Sequence, residues 1–275
     1  MSQPTIAFLG GGNMARSLIG GLIANGTPAA SIRVADPEAS QREALANQFG
    51  VVTSADNATA ADQADAVVLA VKPPLVKTVA EALGEQLRRQ GTLTISIAAG
   101  VREGDISRWL GGDVAVVRCM PNTPSLIQHG VTALYANDQV SPEQQTLAAS
   151  LLSAVGLTQW LEDEGLMDAV TAVSGSGPAY FFLIMEAIED AATELGLPRE
   201  TARRLTLETA LGAARMARDS DEDPASLRRR VTSPNGTTEA ATEALEAGGL
   251  RDVFQQALAR ASQRAGELGD QLGDP

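Results

Sequence analysis

The chain holds one cysteine, Cys119, and one histidine, His129, in 275 residues. A single thiol excludes an intrachain disulfide, and one Cys with one His excludes a Cys/His zinc cluster within the chain; no metal site is expected. A Ser-His-Asp triad would have to use His129. That residue opens the strand-like run HGVTALYA, where a surface or capping histidine is the better reading. Lysine is nearly missing too: Lys72 and Lys77 are the only two, and none follows Lys77. Positive charge is in deficit, with Lys+Arg 21 against Asp+Glu 34 and a formal net charge of −13. Neither nucleic acid nor an acidic membrane is an expected partner, and the Arg228–Arg230 run reads as a solvated helix face. No apolar run approaches the ~18 residues of a membrane span, and no basic leader followed by an apolar stretch opens the chain. A cytoplasmic location is the expectation.

What is present suits an α/β protein long enough for two domains: 44% hydrophobic residues, only 3% aromatic. The first half is organised around Thr5–Arg16, TIAFLGGGNMAR. A β-prone run, Thr5–Leu9, stops at Gly10. The pattern Gly10-x-Gly12-x-x-Ala15 follows, and Leu18, Ile19, Leu22 and Ile23 then carry a helical period. Strand, glycine turn and helix in that order point to a dinucleotide pyrophosphate site at Gly10, Gly11, Gly12, Asn13, Met14 and Ala15, set on the open N–H groups of the helix. A ligand-free glycine turn is the alternative.

Further strands are expected at Ser31–Asp36, Val51–Thr53, Ala66–Val71, Thr92–Ala98, Val114–Val117, Val131–Tyr135 and Leu157–Leu161, with helices over Glu38–Phe49, from Pro74 to about Arg89, and Pro142–Ala154. This alternation implies a doubly wound, mainly parallel sheet with ligands at its carboxyl edge. That edge carries Asp36, Ala70–Pro73 (Ala70, Val71, Lys72, Pro73), Ala98–Gly100 (Ala98, Ala99, Gly100) and Cys119–Pro124. Asp36 has two readings that stay open: a carboxylate on the ribose 2′-hydroxyl of NAD, or a turn residue leading into a helix. In Met120-Pro121-Asn122-Thr123-Pro124, two prolines fix polar residues at the reactive end of the edge, which favours substrate or nicotinamide contact by Met120 and Asn122 over a plain rigid loop.

From about Asp163 the period is helical. Ser174-Gly175-Ser176-Gly177-Pro178 reads as a cap-then-proline start. The helix that follows, Ala179–Leu195, is apolar almost all round in its first half, so a second subunit is its expected cover. Asp223-Pro224 repeats the cap-then-proline start. Ser233-Pro234-Asn235-Gly236 is a turn, and Thr237-Thr238-Glu239 opens a helix that stops at Gly248-Gly249. Such a turn before a helix N-terminus makes a carboxylate pocket from Ser233, Asn235, Gly236, Thr237 and Thr238, or else an ordinary capped helix.

FLGGGNMA at 8–15, AVKP at 70–73, SIAAGV at 96–101, MPNTP at 120–124, SGSGPAY at 174–180 and VTSPNGTT at 231–238 together resemble the pyrroline-5-carboxylate reductase family, in family order and over nearly the whole chain. The resemblance implies an N-terminal Rossmann-type domain, 1–163, binding NADPH or NADH, and an all-helical dimerisation and substrate domain, 164–275. It implies a homodimer or larger homo-oligomer that reduces 1-pyrroline-5-carboxylate to L-proline between the cofactor and the partner's helices. It adds Asn57 to the cofactor contacts, Glu164 and Arg230 to the substrate's surroundings, and gives Thr238 the catalytic position. Two departures stand out: Asn235 replaces the family's usual Gly, and Asp36 is not the neutral residue of a strict NADP enzyme. A hydride passed to a protonated cyclic imine needs orientation more than a strong side-chain acid, in keeping with a second half lacking His, Cys and Lys past residue 129. A related imine reductase or β-hydroxyacid dehydrogenase is the runner-up. The latter resemblance would put a lysine in 165–195, which has none. A non-catalytic NAD(P)-sensing module is opposed only by the polar corner at 233–238.

Overall fold

Side-chain alternation along the first strand decides the layering of the sheet. In a computed structural model, which describes residues 3–273, β1 (Ile6–Leu9) sends Ile6 and Phe8 into one core cluster and Ala7 and Leu9 into another. All four are buried, as a central strand with helices on both faces requires. The chain then alternates: α1 (Asn13–Ala24), β2 (Ile32–Ala35), α2 (Ala39–Phe49), β3 (Val52–Ser54), α3 (Asn57–Ala61), β4 (Ala66–Leu69), α4 (Val76–Gln90), β5 (Leu93–Ser96), α5 (Glu103–Trp109), β6 (Val116–Met120), β7 (Gly130–Ala136), α6 (Pro142–Ser153) and β8 (Gly156–Trp160). Leu18, Ile19, Leu45, Leu151 and Leu152 from α1, α2 and α6 close one face; Ala60, Val76, Leu83, Ile106 and Trp109 from α3, α4 and α5 close the other. Each fully buried Leu or Ile contributes roughly 1.5–3 kcal/mol.

Strand order is β3-β2-β1-β4-β5-β6-β7-β8. The order reverses between β1 and β4, the place where doubly wound sheets open a ligand crevice. Strands β1 to β6 are parallel; β7 runs antiparallel to β6, and β8 is parallel to β7. The reversal at β7 was not foreseen, because the turn Thr123–Ile127 replaces a crossover helix with a 3-10 turn. β6 also starts two residues later than expected and takes Cys119 and Met120 into the strand. Two short polar helices, α3 and α5, escaped the hydrophobic period altogether.

The remaining elements are α7 (Met167–Val170), a π-helical turn (Thr171–Gly175), α8 (Gly177–Glu194), α9 (Arg199–Asp219), α10 (Pro224–Arg230), α11 (Thr237–Ala247) and α12 (Leu250–Leu272). Ser176 has helical backbone, φ −86° and ψ −19°. The expected cap at Ser176 or Gly177 is therefore absent: the chain enters α8 from a π turn closed by Ser176 N–H to Thr171 O, 2.8 Å. The cap at Asp223 is present, accepting from Ser226 N–H at 2.7 Å.

The described residues form two compact units. One runs through Ser176 and regains the chain from Ala261 onward; the other is Gly177–Arg260. The expected division at 163/164 does not coincide with this. Two polar anchors hold the extra segments to the sheet unit: Arg118 to Glu164, 2.7 Å, and Arg102 to Asp270, 2.6 Å. Neither pairing can be read from hydropathy.

Candidate active site

At the carboxyl edge the strand ends are tied to one another. Gly10 N–H donates to Ala35 O at 2.8 Å, Asp36 N–H to Ser54 O at 3.1 Å, and Ala70 N–H to Leu9 O at 2.8 Å. Gly10 sits at φ +103°, and a Cβ there would lie 2.6 Å from Ala70 O, so only glycine fits. Gly12 is the opposite case. It precedes α1 with no side-chain cap, and a Cβ built on it meets nothing within 4 Å. The first N–H groups of α1 thus face an open, exposed cradle. A pyrophosphate fits that cradle, and the dipole of α1 favours its charge. Met14 and Ala15 pack inward, Ala15 fully buried.

Both carboxylate oxygens of Asp36 accept a backbone hydrogen bond. Oδ2 accepts from Gly11 N–H at 2.8 Å and Oδ1 from Glu38 N–H at 2.9 Å. The carboxylate therefore braces the glycine turn and the entry to α2. Asn57 opens α3, three residues beyond β3, behind the cap made by Asp56 on Thr59 N–H, 2.6 Å. Lys72 is exposed and precedes the short turn Pro73–Leu75 with no side-chain cap; Ala70, Val71 and Pro73 are half-buried. Ala98 is buried, Ala99 exposed, and Gly100 turns at φ +80°.

Asn122 is buried, and both ends of its amide are engaged: Oδ1 accepts from Val131 N–H at 3.0 Å, and Nδ2 donates to Ser174 O at 3.1 Å. In an α-helix the donor to Ser174 O would come from residue 178, but Pro178 has no N–H. Asn122 supplies the missing partner, so this residue expected at the substrate is a strut between β7 and the π turn. Met120 is its companion, for a Cβ on Gly175 would lie 2.5 Å from the Met120 methyl.

Glu164 is likewise occupied. Oε1 accepts from Arg118, itself buried, and from Glu103 N–H, each at 2.7 Å. Glu103 receives Asn137 Nδ2 at 2.7 Å. Burial, and the nearby Glu164 carboxylate, push the Glu103 pKa up against the Asn137 hydrogen bond. Burial beside the same acids raises that of Tyr135. Burial alone holds the Cys119 thiol protonated, so it is no nucleophile. His129 is exposed, as expected.

In the helical unit, Gly236 N–H bonds Ser233 O at 3.0 Å, closing the turn, and Asn235 takes φ +58°. Asn tolerates this left-handed backbone well. Glu239 reaches back to Asn235 N–H at 2.6 Å. The residue preceding α11 is Gly236, and no side chain caps the helix. The hydroxyls of Ser233, Thr237 and Thr238 therefore do not serve the capping role that was the alternative reading. Thr238 is half-buried, and Ser233 and Thr237 are exposed. Arg230 pairs with Glu222.

Relatives run the length of the chain. The pyrroline-5-carboxylate reductase of Pseudomonas aeruginosa is 58% identical over 273 residues, 99% of this chain and 100% of that one. The chain belongs to the pyrroline-5-carboxylate reductase family. A family model described as pyrroline-5-carboxylate reductase dimerisation matches residues 164–268, and one described as NADP oxidoreductase, coenzyme F420-dependent, matches 5–100. The solved pyrroline-5-carboxylate reductase of Coxiella burnetii superposes with a TM-score of 0.94 at 48% identity, covering 97% of this chain and 99% of its own. That of Plasmodium falciparum, solved with NADP bound, gives 0.85 at 27% identity, over 98% and 99%. Members of the pyrroline-5-carboxylate reductase family reduce that imine to proline in proline biosynthesis. The family explains the two-part chain: a Rossmann-type sheet followed by mostly helical dimerisation sequence. Among the described residues, no helix is long and apolar enough to cross a membrane, and no group of three or more His, Cys, Asp or Glu is placed to hold a metal.

Two site features were beyond sequence reading. Arg118 is a buried cation inside the apolar run VAVVRCM, and that incongruity was its signal. Arg42, which returns to the carbonyls of Asp36 and Pro37, looks in sequence like any surface arginine on a helix.

Proposed function

We propose that this chain reduces 1-pyrroline-5-carboxylate to L-proline, with NADPH as donor and NADH as the alternative. The observation that carries the proposal is the N-terminus of α11: three hydroxyl residues flank a helix start that no side chain caps. Bound at the carboxyl edge, the reduced nicotinamide supplies hydride to the imine carbon. The chain's residues do the rest. Gly10–Ala15 hold the pyrophosphate on the open N–H groups of α1, with Asn57, Ala70–Pro73 and Ala98–Gly100 along the same edge. The N–H groups opening α11, with Ser233, hold the substrate carboxylate. The Thr238 hydroxyl holds the ring nitrogen, donating or accepting as the protonated imine becomes an amine. Because that nitrogen already carries its proton, the C=N electron pair moves onto it as the carbon receives hydride, and no further acid is required. Glu164 is held by Arg118 in the sheet unit, and Arg230 by Glu222 in the helical unit. Loss of NADPH absorbance on adding 1-pyrroline-5-carboxylate, with proline formed in equal amount, is the expected result; no oxidation of either NADPH or NADH would overturn the proposal.

The working form is a homodimer or larger homo-oligomer. Phe181, Phe182 and Leu183 of α8 are 64%, 65% and 64% exposed, a face that water does not favour in a lone chain. Light scattering at low protein concentration should return at least twice the chain mass. With its one thiol buried and a net charge of −13, the protein is suited to the cytoplasm and to a small-molecule substrate rather than nucleic acid or membrane.

A further inference from the structure

We propose that Arg42 is the residue that admits a 2′-phosphorylated dinucleotide, in spite of Asp36. The proposal rests on reading the carboxyl edge as a dinucleotide site. A free carboxylate at the end of β2 would take the ribose hydroxyls of NAD and repel the 2′-phosphate of NADP. Here the Asp36 carboxylate faces backbone: one oxygen is on Gly11 N–H at 2.8 Å, the other on Glu38 N–H at 2.9 Å. Its charge is partly offset by those donors, and its direction is set by the turn it braces.

Arg42 lies one turn into α2. Its Nη1 is fixed on two carbonyls of the same loop, Asp36 O at 2.7 Å and Pro37 O at 2.8 Å. A guanidinium has five N–H donors in a rigid fork. The two loop bonds use one nitrogen, and Nε and Nη2 make no hydrogen bond among the described residues. The fork is thus pre-oriented at the β2 end with donors in hand, which lowers the ordering cost of gripping an anion. A second feature points the same way. Glu38 precedes α2 without any side-chain cap, so the N–H groups of Ala39, Ser40 and Gln41 are open, and Ser40 is exposed beside them. A dianion here meets a guanidinium, a helix N-terminus and a hydroxyl, against the two acids Asp36 and Glu38. Arg16, the other nearby cation, is turned onto Gln41 at 3.3 Å and onto Gln48.

An arginine that merely propped the loop would affect NADPH and NADH alike, so the ratio of the two affinities is the decisive readout. Fluorescence titration of the full chain with NADPH and with NADH gives it, and competition by adenosine 2′-phosphate against adenosine 5′-phosphate isolates the phosphate. Arg42→Ala should weaken NADPH and adenosine 2′-phosphate by about tenfold or more, the loss of a charged hydrogen-bonding partner. NADH and adenosine 5′-phosphate should change by less than about threefold. Arg42→Lys should recover part of the loss, keeping the charge without the fork. Asp36→Asn should shift NADPH and NADH together. An unchanged NADPH-to-NADH ratio in Arg42→Ala would overturn the proposal, as would a tenfold rise in NADPH preference from Asp36→Asn alone. If the wild-type chain bound neither dinucleotide, the reading of the edge itself would fail as well.

Discussion

The two units differ in what completes them. In the sheet unit, apolar side chains find their cover within the chain: Ile6, Phe8 and Leu9 are at most 1% exposed. In the helical unit, α8 and α9 leave Phe181, Phe182, Leu183, Ile188, Leu205 and Leu211 in the open. A sheet wrapped on both faces closes its core locally, whereas a few long helices cannot hide an all-round apolar surface from water. The sites differ in kind as well. The edge proposed for the dinucleotide is built from backbone, with glycines whose missing side chains make the room. The α11 corner is built from hydroxyls. A side chain forced against backbone should therefore act on the fold in the first unit, and loss of a hydroxyl on turnover in the second.

The largest effect should come from Gly10. Gly10→Ala places a Cβ against Ala70 O at a positive φ, and should cost at least about 3 kcal/mol in urea denaturation. Gly12→Val points into open space; it should stay within about 1 kcal/mol of wild-type stability yet abolish NADPH binding. Equal stabilities for the two variants would erase the contrast within this one turn. Next is Asn122. Asn122→Asp sets a carboxylate against Ser174 O, which Pro178 leaves without a helical donor, and should cost roughly 2–3 kcal/mol. No loss of stability would mean the π turn needs no strut.

Thr238→Ala tests the other side of the comparison. Losing one hydrogen bond in a desolvated site costs roughly 1–3 kcal/mol, a 5- to 150-fold fall in kcat/KM by about the same arithmetic. NADPH affinity and denaturation midpoint should hold, and Thr238→Ser should restore most of the rate. Wild-type kinetics in Thr238→Ala would remove the hydroxyl from the mechanism. The smallest effect concerns Glu103, whose pKa is raised chiefly by burial. A carboxyl with a raised folded-state pKa contributes its stability below the unfolded pKa and loses it as pH rises through the folded one. Glu103→Gln should thus be at least as heat-stable as wild type near neutrality, with the advantage disappearing towards pH 4. A gap that widened on acidification would contradict the sign.

Much of the sheet unit was legible because its signals are local. Glycine spacing, strand-length apolar runs and the Gly50 helix stop, at φ +71°, each follow from steric or burial rules acting over a few residues. The corner at 233–238 was legible for the same reason, as a turn followed by a helix start. The illegible parts were contacts between residues far apart in sequence. The resemblance puts Glu164 near the substrate, and the proline-bounded loop at the sheet edge favours substrate or nicotinamide contact by Asn122. Their partners, Arg118, Val131 and Ser174, lie 46, 9 and 52 positions away, so their role as internal struts left no local mark.

By itself the sequence determined that the chain alternates strands and helices, that a tight glycine turn follows the first strand, that no disulfide or Cys/His zinc cluster can form within one chain, and that α8 carries more apolar surface than one helix can hide. These are matters of backbone sterics, composition and periodicity. Only the tertiary structure decided that β7 reverses, that the last turns of α12 rejoin the sheet unit, that Asp36 faces backbone rather than an open crevice, and that Arg42 stands ready beside it. Those outcomes depend on which polar groups meet once the apolar faces have closed. Burial makes each unpartnered donor or acceptor costly, so satisfying them selects among arrangements that the hydrophobic pattern leaves equivalent.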